Sequence, residues 1–468
     1  MNDWADRPDA RWLAAVRSRL VVLAATSALV VAACAGSDDN AVDTAPIEIE
    51  TTNGPVDTQP ATTEAPATTE AALAPFEVLP PGPYDVGVQT ITINADTDRP
   101  LTVDVWFPID DAGDAAPHQY VLLPGLGDVS DNAVDAGPDA ISADGPFPLV
   151  VYSHGSGGLR YIASDYTEAI ASYGYIVAST DHTGNTALDR LLCTSTDGPT
   201  TAINRVRDVR AIIDQLTNPE STETAGFVAN VDPEKIAITG HSLGGFTTYA
   251  AVTGYENELG SVPADDRVDA IIPLAPAIGG DRPPVDDTTT TTEAATADEE
   301  EYVDPCADRA DATTETTQPT PEEIAAARSR RSITDEQLAS VTVPAMVIVG
   351  QDDTSTPVEP NVTRAWELSN SEPLYRVELV AGQHQSFTNA CRYLALIPTW
   401  PEDLQALAGP FLRAQAKEGC GDGIMDIRRA EDLTNTFAIT FLDSIFRGTP
   451  MIDPATTAIP DDVVLMSK

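Results

Sequence analysis

Lysine is nearly absent from this chain: Lys235, Lys417 and Lys468 are the only three in 468 residues. Lysine and arginine together number 26 against 73 aspartates and glutamates, a formal net charge of −47. A surface of that sign repels phosphate backbones and anionic lipid, which excludes nucleic acid as a partner and adsorption to a charged membrane face. The same imbalance suits a salty medium, where counterions screen self-repulsion. Cysteine is also sparse, with five residues whose spacing fits no zinc pattern. No metal or organic cofactor is implied. The apolar run from Leu20 to Ala33 is too short to span a bilayer with certainty.

That run has a meaning of its own. Arg7, Arg11, Arg17 and Arg19 precede it and small residues close it, which is the pattern of an export leader. It ends in Val31-Ala32-Ala33-Cys34, which resembles the bacterial lipobox, so residues 1–34 read as a signal peptide with Cys34 as the lipidated N-terminus. The expected location is the outer face of the cell membrane, held by lipid alone; ordinary secretion is the alternative. Residues 35–75 collapse to Thr, Ala, Glu, Pro and Asp and have little to bury, so they read as a disordered tether. In an exported chain, Cys193, Cys306, Cys391 and Cys420 allow two disulfides. Cys391 with Cys420 is the most local pairing, and three connectivities remain open.

The foldable part is 76–468. Val86–Asn94 and Leu101–Phe107 alternate apolar and polar residues across a turn-like stretch, which predicts an antiparallel pair. Further apolar runs at 147–152, 175–180, 236–239, 268–274, 344–349 and 375–380 alternate with helix-like stretches, Ile203–Leu216 and Leu433–Ile445 among them. Strands alternating with helices predict an α/β fold, a mostly parallel central sheet with helices on both faces. An acidic, threonine-rich insertion at about 279–320 interrupts the pattern. It reads as a solvated loop, with a lid as the second reading.

Chemistry-bearing residues fall at the ends of those strands. Gly240-His241-Ser242-Leu243-Gly244 stands between the apolar run Ile236–Thr239 and the small-residue run Gly245–Ala251. A serine on a sharp strand-to-helix turn, with glycines two before and two after, presents its hydroxyl above the sheet edge. Such a serine needs a base, and the base an orienting acid. His384, in Ala381-Gly382-Gln383-His384-Gln385-Ser386-Phe387, is the only histidine after the serine and follows the last predicted strand. Between them, Gly350-Gln351-Asp352-Asp353 offers Asp353 as the acid, three after a glycine and four before Pro357; Asp352 is the alternative. Two backbone N–H groups must meet the developing oxyanion. Leu243 follows the serine, and His154-Gly155-Ser156-Gly157-Gly158 supplies Ser156.

Taken together, V-Y-S-H-G-S-G-G, V-A-S-T-D-H-T-G-N, G-H-S-L-G-G and G-Q-H-Q-S-F-T resemble the α/β-hydrolases from about residue 84 to 447. Within them the chain is similar to dienelactone-hydrolase-like esterases and to bacterial relatives of platelet-activating-factor acetylhydrolase. The resemblance implies Ser242 as nucleophile, Asp353 as acid, His384 as base, and Ser156 with Leu243 in the oxyanion hole. True dienelactone hydrolases carry cysteine at the position of Ser242, so lactone specificity does not transfer. The expected function is hydrolysis of a small-molecule or lipid carboxylic ester through an acyl-enzyme. A lidded lipase or phospholipase, and a tethered binding protein without catalysis, are the rival readings. A fluorophosphonate probe separates the last of these.

Overall fold

The computed structural model describes residues 73–123, 126–279 and 332–468. The expected leader, Cys34 and nearly all of the tether lie outside the described residues, as does the insertion from residue 280. At the start of the described residues, Ala74 and Pro75 pair in parallel with Thr457 and Ala458.

One sheet of eleven strands organises the domain. In chain order they are β1 (Asp85–Ile93), β2 (Leu101–Ile109), β3 (Pro117–Leu123), β4 (Leu126–Asp135), β5 (Phe147–Ser153), β6 (Ile176–Thr180), β7 (Val231–His241), β8 (Ala270–Leu274), β9 (Ala345–Gly350), β10 (Leu374–Leu379) and β11 (Val463–Ser467). In space they run β11-β10-β9-β8-β7-β5-β6-β2-β1-β4-β3. The central block from β6 to β10 is parallel throughout. The expected antiparallel pair is β1 with β2, in register from Asp85↔Ile109 to Ile93↔Leu101. One expectation fails: β10 is not the last strand, because β11 caps it antiparallel at the edge.

Alternation along the central strands divides the core. Leu149, Val151, Ile236 and Ile238 point into one face, against helix Gly198–Thr217 and helix Leu243–Thr253. The first of these helices lays down Ile203, Val206, Val209, Ile212, Ile213 and Leu216, all buried, as one stripe of helical period. Burying each such side chain stabilises by about 1.5–3 kcal/mol relative to exposure. On the opposite face Tyr166, from helix Ser164–Ser172, places its ring beside Tyr152 and hydrogen-bonds Thr239. Helices therefore cover both faces, and the fold is α/β.

The insertion leaves this frame undisturbed. Ile333 N–H donates to Ile278 O at 2.9 Å, and a Cβ on Gly279 would lie 2.5 Å from the Ser332 side chain. The two flanks, Ile278–Gly279 and Ser332–Ile333, thus meet between β8 and β9. Among the described residues no helix is long and apolar enough to cross a membrane.

Candidate active site

Four loops at the C-terminal ends of parallel strands build the site, where this sheet topology leaves a crevice. The first is the turn from β7 into helix Leu243–Thr253. Ser242 sits at that turn with φ 57° and ψ −116°, a conformation that side chains rarely adopt. Its N–H donates to Leu274 O at 2.9 Å, and its carbonyl accepts from Ala277 N–H at 2.9 Å, so the end of β8 and the loop after it pin the strained residue on both sides. The flanking glycines are required by space. A Cβ on Gly244 would lie 1.8 Å from Ser153 O, and one on Gly240 would lie 2.6 Å from the same atom.

The loops bearing Asp353 and His384 meet through two more glycines. A Cβ on Gly350, at the end of β9, would lie 2.3 Å from the carbonyl carbon of Gly382, beyond β10. That backbone contact carries Asp353 and His384 to one place. His384 Nδ1–H donates to Asp353 Oδ2 at 2.8 Å, and His384 Nε2 lies 2.9 Å from Ser242 Oγ. With the Nδ1 proton held by the carboxylate, Nε2 is left to accept from the serine hydroxyl. Asp353 is buried, whereas Asp352 is exposed, so burial distinguishes the two.

Thr356 and His241 complete this set, and neither carried a sequence signal. Thr356 donates its backbone N–H to Asp353 Oδ1 and its hydroxyl to Asp353 Oδ2, each at 2.7 Å. His241 donates from Nε2 to the carbonyl of His384 at 2.8 Å, so the residue before the serine holds the His384 backbone. Burial, with the His384 ring beside it, holds the His241 imidazole well below its ordinary pKa. It is a neutral hydrogen-bonding group.

The loop after β5 brings Gly155 and Ser156 to the serine. A Cβ on Gly155 would lie 3.3 Å from Ser242 Cβ and 3.1 Å from His241 Nδ1, so only a glycine approaches this closely without displacement. Behind the loop stands Arg205, fully buried. It donates to the His154 carbonyl, to Ser153 Oγ at 3.2 Å, to Asn185 Oδ1 at 2.7 Å and to Thr247 Oγ1 at 3.2 Å. Desolvation pulls its pKa down to about 9. His154 donates from Nδ1 to Gly155 O at 2.7 Å, and its Nε2 accepts from His182 N–H at 3.2 Å. Burial, and then the Arg205 charge, keep both imidazoles far below their usual pKa. His182, at the end of a strand, thus belongs to the support of this loop. Leu243 N–H opens the helix after the serine, where such groups have no partner within the helix.

A cavity of about 510 Å³ opens over Ser242 and His384. Among the described residues its outer wall includes Tyr393, Phe411, Leu412 and Lys417. These belong to helix Ala390–Leu396, helix Glu402–Ala416 and the turn that follows. The Cys391–Cys420 disulfide ties the two ends of this segment together, the pairing expected from proximity. Cys193 is also disulfide-bonded. The acidic insertion, read as a solvated loop with a lid as the second reading, lies outside the described residues. No group of three His, Cys, Asp or Glu side chains among the described residues is arranged to hold a metal.

A serine raised on a strand–helix elbow over a mostly parallel sheet, with helices on both faces, defines an α/β-hydrolase. Residues 125–212 match the family model of platelet-activating factor acetylhydrolase, isoform II. Among solved structures the chain is similar to a ferulic acid esterase from Streptomyces cinnamoneus, with 23% identity and a TM-score of 0.51, over 85% of this chain and 98% of that one. A search of curated proteins gave no match. The solved structure supports the fold, and the family match over residues 125–212 supports an ester hydrolase.

Proposed function

We propose that the protein is a serine esterase that works through an acyl-enzyme. The observation carrying this reading is the unbroken chain of hydrogen bonds from Ser242 Oγ through His384 to Asp353, at 2.9 and 2.8 Å. Ser242 Oγ attacks the ester carbonyl carbon while His384 Nε2 takes its proton, and the carbonyl oxygen becomes an alkoxide. The N–H groups of Leu243 and Ser156 receive that alkoxide; one such donor contributes about 10²–10³ in rate. His384 then passes the proton to the departing alcohol. Water enters, gives a proton to the same nitrogen and cleaves the acyl-serine, releasing the acid and restoring the hydroxyl. Asp353 holds the imidazole in the required tautomer throughout and stabilises its cationic form.

The buried support behind Gly155 and Ser156 adds weight, since an oxyanion hole acts only when its donors are fixed before the reaction. The cavity volume suits a small ester or the short acyl end of a larger one. Ser242→Ala is expected to abolish hydrolysis of 4-nitrophenyl butyrate and labelling by a fluorophosphonate. Retention of either in a folded variant removes the assignment.

A further inference from the structure

We propose that Arg205 is a positioning residue of the oxyanion hole, and that its positive charge acts on the alkoxide through the backbone it holds. The proposal rests on the serine-esterase reading and adds a residue to its machinery. Arg205 is fully buried in helix Gly198–Thr217, and the acceptors it meets are all neutral: the hydroxyls of Ser153 and Thr247, the amide oxygen of Asn185 and the carbonyl of His154. Asp208, three residues further along the same helix, is committed elsewhere. Its oxygens accept from Arg99 Nε and Nη2 at 2.7 Å each, and Oδ2 also accepts from His182 Nδ1–H at 3.0 Å. Burial keeps the His154 and His182 imidazoles neutral and pushes the Tyr152 hydroxyl pKa far up. The cluster thus holds two guanidiniums, one carboxylate and no other charge. One positive charge is left over, in a chain whose net charge is −47. Keeping a cation out of water without a carboxylate against it is expensive. An anion that forms only during the reaction gives that charge a use.

The path from the guanidinium to the alkoxide runs along two backbone segments. The carbonyl of His154 and the N–H of Gly155 belong to one peptide group, and the carbonyl of Gly155 and the N–H of Ser156 to the next. Arg205 Nη2 donates to the first carbonyl, and His154 Nδ1–H donates to the second at 2.7 Å. A donor on a carbonyl oxygen draws density from the amide beyond it and makes that N–H the better donor. On the other side Arg205 Nε donates to Thr247 Oγ1 at 3.2 Å, and the Thr247 hydroxyl donates to Leu243 O at 2.9 Å. Leu243 is the first residue of the helix after the serine. One planar fork therefore ties together the segments that carry Ser156 N–H and Leu243 N–H. Its charge is fixed behind them before any substrate arrives.

Bracing alone, without any need for charge, is the competing account, and a pH profile separates the two. The full chain is assayed as wild type, Arg205→Lys and Arg205→Met with 4-nitrophenyl butyrate between about pH 6 and pH 9, after subtraction of spontaneous hydrolysis. Arg205→Met is expected to lower kcat by about tenfold or more at every pH, with KM within about threefold. Lysine keeps the charge on a group whose ordinary pKa lies about two units below that of arginine. The burial that brings Arg205 to about 9 would bring a lysine there to about 7. Arg205→Lys should therefore exceed Arg205→Met near pH 6.5 and lose that advantage as pH rises through about 7, where the wild type holds level. An Arg205→Lys profile parallel to that of Arg205→Met throughout overturns the proposal, because a lost brace is lost at every pH. If neither variant folds, Asn185 decides, since its Oδ1 lies 2.7 Å from Arg205 Nη1. Asn185→Asp would pair the cation and leave the brace in place, so its kcat should fall about tenfold below that of Asn185→Ala. An equal or higher kcat overturns the proposal as well. Butyrate hydrolysis that survives Ser242→Ala would instead remove the underlying serine-esterase reading, whatever residue 205 does.

Discussion

Asp353→Asn is the sharpest probe of the site, because the surroundings dictate which way the new amide must face. In the wild type, Oδ1 accepts from Thr356 N–H at 2.7 Å, while Oδ2 accepts from the Thr356 hydroxyl at 2.7 Å and from His384 Nδ1–H at 2.8 Å. An asparagine presenting its oxygen to the imidazole would turn its NH₂ onto the Thr356 N–H, donor against donor at hydrogen-bond distance. The opposite orientation satisfies Thr356, whose hydroxyl accepts from the amide and donates to Ala275 O, 3.1 Å away. That orientation places an N–H against His384 Nδ1 and moves the ring proton to Nε2, where it faces Ser242 and blocks proton transfer. In serine proteases with the same relay, this exchange of tautomers costs about 10⁴ in kcat. A fall of about 10³–10⁴, or about 4–5.5 kcal/mol of activation free energy, is expected here, with KM within about threefold. Steady-state hydrolysis of 4-nitrophenyl butyrate measures it, with Asp352→Asn as the reference because that side chain is exposed. A loss below tenfold in folded Asp353→Asn, or an equal loss in Asp352→Asn, would refute the reasoning.

Two predictions concern stability. Glu168 is buried, and its Oε1 accepts from Tyr120 Oη at 2.6 Å and Ser130 Oγ at 2.7 Å; burial outweighs those bonds and pushes its pKa up to about 7. A raised carboxyl binds its proton more tightly when folded, so its contribution is present at low pH and is lost as pH rises from the unfolded value toward 7. Glu168→Gln should therefore gain about 3 kcal/mol relative to wild type between pH 4.5 and pH 8 in urea unfolding, and a pH-independent difference would contradict this. Replacing both Cys391 and Cys420, 29 residues apart, by serine should cost about 3–4 kcal/mol and raise KM, because the segment they close forms a cavity wall. Unchanged denaturation midpoint and KM would show that the staple is dispensable.

Much of the central sheet was legible because its strands, buried on both sides, are unbroken apolar runs such as Leu149-Val150-Val151 and Ile236-Ala237-Ile238. The three loops bearing Ser242, Asp353 and His384 were legible for another reason, namely the glycines that close packing demands at 240, 244, 350 and 382. The outer wall of the cavity was not. Helix Glu402–Ala416 contains Gly409 and Pro410, both poor helix formers, yet the proline is held inside the helix. The edge strand β11 was missed because it is five residues long and follows a Pro-Asp-Asp turn. The hairpin of β3 and β4 carries two register shifts, so its alternation is irregular. Arg205 and Thr356 act through contacts between distant segments, which no local spacing encodes.

The bond from the His241 ring to the carbonyl of residue 384 closes a small circuit. It runs from serine to its covalent neighbour, across to the backbone of the imidazole, and back through that imidazole to the serine oxygen. A closed circuit of this kind has few independent ways to deform. Heating or denaturant should therefore dislodge Ser242 and His384 as one unit, in a single step.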